Sequence, residues 1–394
     1  MAARKSPKSI LFVVNNAQYF LLHRLSLARA VQQAGYRVMV ATSPDSQQHE
    51  IEAIEAEGFR FFPFYYRPGM RSPLRDMVSL LHLVWLYRKL QPDIVHHLSI
   101  KIILYGTLAA RIAGVPAIVN ALTGLGYVFM PGSPKRAILR WMIENAYRHL
   151  FAAHHIRVLF QNPDDRQLLV DRGVVAADQA VLIYGSGVDT ERFIPRPEPD
   201  GEPVVLHASR MLWDKGIQEL VEAARLLKQR GVAGTVVLAG APDPNNPSSI
   251  PEETLVRWTE QGLVQWVGYT RDMPGRIASA HVVCLPSSYR EGVPMTLLEA
   301  AATGRPLVTT DMPGCREVVT HGWNGFLVPV RNPQALANAL QLLLTNPTLR
   351  KTMGARSRTM ACQKFDKDIV IRETIAVYRS LENYLYLLDE VAQT

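Results

Sequence analysis

The sequence predicts an α/β chain made of two doubly wound, parallel-sheet domains, and two observations carry that reading. Short β-branched runs alternate with helical patterns along nearly the whole chain, as βαβ units do. The rhythm then stops and restarts once, at a glycine- and proline-rich stretch over 184–203, dividing the 394 residues into halves of similar size. At about 150 residues per domain, that length suits two to three domains.

In the first half the strand-like runs fall at 10–14, 37–41, 59–64, 93–96, 117–121 and 156–160. A helical period fills 19–34 and stops at Gly35, and a second helix fits 47–57. The junction follows: Tyr184-Gly185-Ser186-Gly187-Val188-Asp189, then four prolines between Pro195 and Pro203. Strands resume at 203–209, 235–240, 264–267, 281–285, 306–310 and 326–328, with helices between them. A long helix over 366–388 lies outside the alternation. The expected domains are 1–189, 190–365 and a terminal helix 366–394 packing back towards the first. Open parallel sheets of this kind bind ligands beyond the carboxyl ends of their strands, here in a cleft between two domains.

Composition narrows the class. With 48% apolar and 20% charged residues the chain is ordinary globular material, neither disordered nor fibrous. Its three cysteines, Cys284, Cys315 and Cys362, are far apart and form no CxxC, which argues against a disulfide framework or structural zinc and for a reducing compartment. No apolar run reaches the 18 residues a spanning helix needs. The basic start is followed by only five apolar residues, Ile10–Val14, too few for a signal peptide. A cytoplasmic protein is expected. Residues 1–189 hold 21 Lys and Arg against 13 Asp and Glu, whereas the rest hold 22 of each, so the whole excess sits in the N-terminal half. That implies an anionic partner there: a membrane surface, a phosphorylated ligand or nucleic acid. No nucleic-acid module is recognisable, so a nucleic-acid partner rests on charge alone and is not expected, and scattered surface charge is the bland alternative.

Two near-matches are set aside. Gly124-Leu125-Gly126 and Gly185-Ser186-Gly187 each lack the third glycine of a dinucleotide fingerprint, and no P-loop occurs. The sharper signals lie in the second half. Ser209-Arg210 ends a strand and Lys215-Gly216 opens the next helix, placing two cations where a phosphate could be held, or where a loop merely carries surface charge. Glu291-Gly292-Val293-Pro294-Met295-Thr296-Leu297-Leu298-Glu299 then runs from a strand into a helix. Pro294 suits the first helical position, Gly292 permits close approach of a ligand, and the helix start favours an anion such as a diphosphate. Glu299, one turn in, could accept both hydroxyls of a ribose, while Glu291 would face whatever the phosphates carry. The plainer alternative is a helix whose acids complement its dipole.

Together these residues resemble the donor-site signature of family 4 glycosyltransferases, retaining enzymes of the GT-B fold. Gly187-Val188-Asp189 with Phe193 resembles that family's domain junction, and Gly304 and Pro306 with Gly314 and Glu317 resemble its pattern after the donor helix. The resemblance covers essentially the whole chain. It implies that Arg210 and Lys215 bind the donor diphosphate, that Glu299 holds the ribose and that Glu291 contacts the sugar. It also implies that Gly268 and Tyr269 receive the base, with Gly292, Val293, Pro294, Met295 and Thr296 lining the donor. HHLSIK after a strand and NALTGLGYVF later are similar to the subgroup that builds O-antigen, capsule and other lipid-linked glycans from UDP-sugars.

The acceptor side departs from the commoner pattern. Asn15-Asn16 replaces a glycine pair after the first strand and leads to His23. Leu98 stands where many relatives carry a histidine, which leaves His97, either catalytic or a strand-end structural histidine, with Lys101, Thr123 and Gly124 nearby. Asp366-Lys367-Asp368 imitates a metal-binding DxD, but it opens the last helix and reads as a cap, so no metal or other cofactor is expected. Aromatic and basic residues mix over 59–75, including Arg67, Met70, Arg71 and Arg75, and again over 135–148 with Arg136, Arg140 and Trp141. Such mixtures suit a headgroup interface or a polyprenyl diphosphate, and equally a core strand with ordinary flanks, as over 59–64. The expected activity is metal-independent, retaining transfer from a UDP-sugar to a lipid-linked glycan at an anionic inner-membrane surface. A nucleotide-sugar epimerase, a transferase to a soluble acceptor and a catalytically silent nucleotide-binding scaffold are the alternatives.

Overall fold

Two all-parallel sheets organise the chain, seen in a computed structural model that describes residues 8–66, 73–130 and 132–393. The first contains β1 (Ser9–Val13), β2 (Arg37–Thr42), β3 (Arg60–Pro63), β4 (Ile94–Leu98), β5 (Ala117–Leu122), β6 (Ile156–Phe160) and β7 (Ala180–Leu182), in the order β3-β2-β1-β4-β5-β6-β7. The second contains β8 (Val204–Ala208), β9 (Thr235–Ala239), β10 (Gln265–Trp266), β11 (Val282–Leu285), β12 (Leu307–Thr310) and β13 (Gly325–Val328), in the order β10-β9-β8-β11-β12-β13. Each order reverses beside its first strand, between β1 and β4 and between β8 and β11. That switch point is where the loops after neighbouring strands diverge and leave room for a ligand.

Strand burial explains why these runs are continuous apolar stretches. β1 is buried on both faces along its length. Its residues alternate between two cores, as side chains of period two must. Ile10 and Phe12 join Phe20, Val31 and Phe59 on one face; Leu11 and Val13 join Met39, Phe64, Tyr87 and Tyr147 on the other. The terminal helix Lys367–Gln393 adds Val370, Val377, Tyr378 and Leu381 to the first of these cores, and the Tyr378 hydroxyl meets buried His96 Nδ1 at 2.6 Å. Two compact units result: one runs to Ser186 and resumes at Val370, the other is Gly187–Ile369.

Several elements differ from their sequence reading. The helix expected over 19–34 is two, Ala17–His23 and Leu25–Gln33, because Arg24 at φ −128° leaves helical geometry between them. β7 is three residues long and offered no readable pattern. The proline-rich junction is not loose. Arg358 donates to the carbonyls of Thr190 and Phe193, Arg305 to that of Pro197, and Arg350 pairs with Glu198 at 2.9 Å, which binds the segment to the second unit. No helix among the described residues is long and apolar enough to cross a membrane.

Candidate active site

In the second unit the predicted donor residues gather at the strand ends flanking the switch point. β8 ends in His207-Ala208, and His207 is fully buried. Its Nδ1–H donates to the Cys284 carbonyl (3.0 Å) and its Nε2 faces the Ser209 hydroxyl (2.8 Å). Burial pushes its pKa down to about 4, so it is neutral and orients the strand end that carries Arg210. A short turn, Trp213–Lys215, then closes on Gly216, whose φ of +73° and position against the Pro286 carbonyl exclude any side chain. The Ser288 amide donates to the Asp214 carbonyl (2.9 Å), tying this turn to the loop after β11.

That tie brings Lys215 to Glu291. Nζ and Oε2 lie 2.6 Å apart, with the two side chains 15% and 12% exposed. Arg210 is held differently: its Nη1 lies 2.7 Å from Asp243 Oδ2, and its side chain stays 60% exposed. Asp243 was not read from the sequence. It sits in a polar loop after β9, and its only signal was that position at a strand end.

The helix after β11 is Met295–Ala302, and Pro294 is its N-cap at ψ 122°, not its first helical residue as expected. Proline has no side chain to cap with, so the first turn presents its amides as an anion site does. Gly314, at φ +82°, lets the loop after β12 press onto Gly292; a Cβ there would lie 1.6 Å from the Gly292 oxygen. The Thr296 hydroxyl donates to the Ala208 carbonyl (2.6 Å) and so fastens this helix to β8. Glu299 is part-buried, and burial raises its pKa to about 7 against a smaller opposing pull from Arg192. Among the described residues its carboxylate has no hydrogen-bond partner, which leaves it open to a ligand. After β10, Gly268 adopts φ +69° and its carbonyl accepts from the Gly240 amide (2.7 Å), while Tyr269 is 64% exposed.

In the first unit most of the predicted residues also lie at or just past strand ends, His23 instead closing the helix Ala17–His23, yet several are held by their own unit. Asn16 caps the helix Ala17–His23, accepting from the Tyr19 amide at 2.7 Å. Asn15, beside it, is part-buried. The His23 ring lies 4.7 Å from the Tyr19 ring, and burial, aided by Arg24, lowers its pKa to about 4. His97 is fully buried: its Nε2 meets the Tyr87 hydroxyl and its Nδ1 the Asn120 Oδ1, both at 2.9 Å. Both ring nitrogens are thus occupied, and the geometry favours the structural of its two sequence readings. Lys101 is buried in an ion pair with Asp76 (2.7 Å) and lies 5.5 Å over the Tyr66 ring. Thr123 and Gly124 (φ +106°) are part-buried in the loop after β5. Asp76, Tyr87 and Asn120 escaped the sequence reading because buried partners far apart in sequence carry no local pattern.

Asp366 accepts from the Asp368 amide at 2.8 Å and from the Thr190 hydroxyl, so the DxD is a helix start tied to the junction. Among the described residues no three potential metal ligands cluster. Arg67, Met70 and Arg71 lie outside the described residues.

Residues 189–360 match the family model for glycosyl transferases group 1, and residues 9–156 that for glycosyl transferase 4-like domains. An N,N'-diacetylbacillosaminyl-diphospho-undecaprenol alpha-1,3-N-acetylgalactosaminyltransferase from Campylobacter jejuni is 24% identical over 90% of this chain and 94% of its own. A UDP-Gal:alpha-D-GlcNAc-diphosphoundecaprenol alpha-1,3-galactosyltransferase from Escherichia coli is 26% identical over 75% and 77%. Among solved structures, HepE from Anabaena with UDP and glucose superposes with a TM-score of 0.75 at 20% identity, over 94% of this chain and 99% of that one. Sucrose-phosphate synthase from Thermosynechococcus elongatus does so at 0.78 and 20%, over 96% and 100%. At such identities the solved structures show a shared fold.

Proposed function

This chain is a glycosyltransferase of the GT-B, family 4 type, and we propose that it transfers a sugar from a UDP-sugar, with retention, to a polyprenyl-diphosphate-linked glycan of a cell-surface polysaccharide. The observation that carries the donor side is the grouping of Lys215, Glu291 and an uncapped helix start at one switch point, with Arg210 on the adjoining strand end. A leaving UDP develops negative charge on its diphosphate. Lys215 as a point charge, Arg210 as a fork and the amides of the helix start supply fixed positive charge to receive it. Glu299 accepts the ribose hydroxyls, the backbone at Gly268 and Tyr269 receives the base, and Glu291 turns from Lys215 to the sugar. With that much positive charge in place, the reading needs no metal.

The acceptor class is supported by two relatives whose names specify diphosphoundecaprenol-linked acceptors and that align over most of their length. The test offers radiolabelled UDP-, GDP- and ADP-sugars to the purified protein with membranes carrying polyprenyl-diphosphate glycans. The expected result is transfer of label from a UDP-sugar into the organic-extractable fraction. Label entering only water-soluble products would favour a soluble acceptor, and release of UDP with an altered free sugar and no acceptor would favour an epimerase.

A further inference from the structure

The first unit carries an apolar surface that its own fold does not use. Among the described residues, twelve large apolar side chains are more than half exposed, and eight of them lie on just two helices. On Pro73–Leu90 these are Leu74, Met77, Val78, Leu81 and Trp85, which at spacings of three and four trace one face; Leu74 is 82% exposed. On Pro134–Phe151 they are Ile138, Trp141 and Met142, with Trp141 64% exposed. Both helices pack on Ile100–Ala113 near its start. Asp76 reaches Lys101 and Tyr105 there, and the Tyr147 hydroxyl donates to the Ile100 carbonyl at 2.9 Å. Leu74, Met77 and Val78 therefore flank the carboxyl ends of the first sheet. So do Ile138, Trp141 and Met142, since a crossover helix after β5 begins at that edge.

Charge identifies what covers this surface. Each helix contains a single acid, and each acid is already paired, Asp76 with Lys101 and Glu144 with Arg172. The outer faces are left with cations alone: Arg75, Arg88 and Lys89 on one helix, Lys135 and Arg140 on the other. Lys89 sits 4.7 Å over the exposed Trp85 ring, an aromatic beside a cation as at a headgroup boundary. We infer that these two helix faces dock the first unit on an anionic lipid bilayer. Their apolar side chains enter the headgroup boundary, the flanking cations meet lipid phosphates, and the acceptor-side strand ends lie next to the leaflet. The inference rests on the lipid-linked acceptor reading and names the surface through which that acceptor is met.

Co-sedimentation of the full chain tests it, using vesicles of phosphatidylglycerol and phosphatidylethanolamine against pure phosphatidylcholine. Binding to the anionic vesicles, weakened by 0.5 M salt, is expected. The combined Met77→Gln, Leu81→Gln, Trp141→Gln variant should bind them at least tenfold more weakly with unchanged thermal unfolding, and Lys135→Glu with Arg140→Glu should weaken anionic binding and reduce its salt dependence. No preference for anionic vesicles, or undiminished binding by the triple variant, would overturn the inference. So would concentration-dependent dimerisation of the wild type that the triple variant abolishes, since the face would then be covered by a second copy. UDP binding by calorimetry keeps the two readings apart. Vesicle binding without UDP binding defeats the donor assignment alone, and UDP binding without vesicle binding defeats the docking surface alone.

Discussion

The two units order their first six strands alike about one switch point and use the polar residues at their strand ends in opposite ways. In the second unit Arg210 is paired yet 60% exposed, and the Glu299 carboxylate has no hydrogen-bond partner among the described residues. In the first, Lys101 and Asp76 are each only 10% exposed in their ion pair, His97 is bonded at both nitrogens, and Asn16 caps a helix. At these strand ends the second unit keeps Arg210 and Glu299 accessible, whereas the first ties Lys101, His97 and Asn16 into its own fold. A shared topology thus fixes where a ligand can bind, while burial decides which polar groups remain to bind it.

The largest expected effect breaks or sharpens that contrast directly. Lys101→Ala strands the Asp76 carboxylate in a buried place, where losing one partner of an ion pair costs about 3–5 kcal/mol. Denaturant unfolding should show that loss, with UDP affinity unchanged once the protein is folded. Arg210→Ala should do the reverse. Its exposed pair with Asp243 contributes about 0–1 kcal/mol to stability. As a donor to a developing charge it is worth roughly 3–4 kcal/mol, a slowing of transfer by about 100- to 1,000-fold, and Lys215→Ala should slow transfer similarly. If Lys101→Ala is harmless to unfolding, or Arg210→Ala is harmless to transfer, the division of labour fails.

Glu299 offers a smaller effect with a sign. Its pKa is about 7 when folded against an ordinary value near 4.5. Between those values the folded protein holds a proton that the unfolded chain has released, so stability falls as pH rises through that window. Glu299→Gln cannot titrate, and at pH 8 it should gain about 1–3 kcal/mol of stability while weakening UDP binding. Wild-type UDP affinity should fall more steeply than the variant's as pH drops below about 7, the slope they share being that of the UDP phosphate itself. Glu291→Gln should leave UDP affinity nearly unchanged yet impair transfer. Equal losses of UDP affinity in both glutamine variants would show that ribose and sugar contacts are not divided between them.

How much of this was legible follows from distance along the chain. Lys215, Glu291 and Glu299 were readable because each belongs to one strand-turn-helix segment whose residue types and spacing are local. The strands were readable for the same reason, except β7, whose three residues are too few for a pattern. Asp243, which holds Arg210 from 33 positions away, and Asp76, 25 positions from Lys101, were not. Their partners are set by packing, and a lone aspartate in a loop or on a helix looks like solvent-facing charge. Pro294 was read one position too far into its helix because proline suits both the cap and the first turn; its ψ of 122° decides for the cap.

The smallest expected effect is none at all. Transfer assayed in excess EDTA should proceed at the rate seen without it. The reason lies in the second unit's charges: on the proposed reading two cations and the amides of the Met295–Ala302 helix start would receive the diphosphate, so a divalent ion would add little to that neutralisation. The pair that most resembles a metal site has other duties. Asp366 accepts from the Asp368 amide and the Thr190 hydroxyl, and the Lys367 between them pairs with Asp189 at 2.7 Å. Asp366→Asn should therefore loosen the junction, seen as a lower melting temperature, and leave metal response untouched. Loss of transfer in EDTA, restored by magnesium in the wild type but not in Asp366→Asn, would overturn that account. It would mean that positive charge at the donor diphosphate is incomplete without an ion, and that the second unit's charges are not self-sufficient in the way the contrast with the first requires.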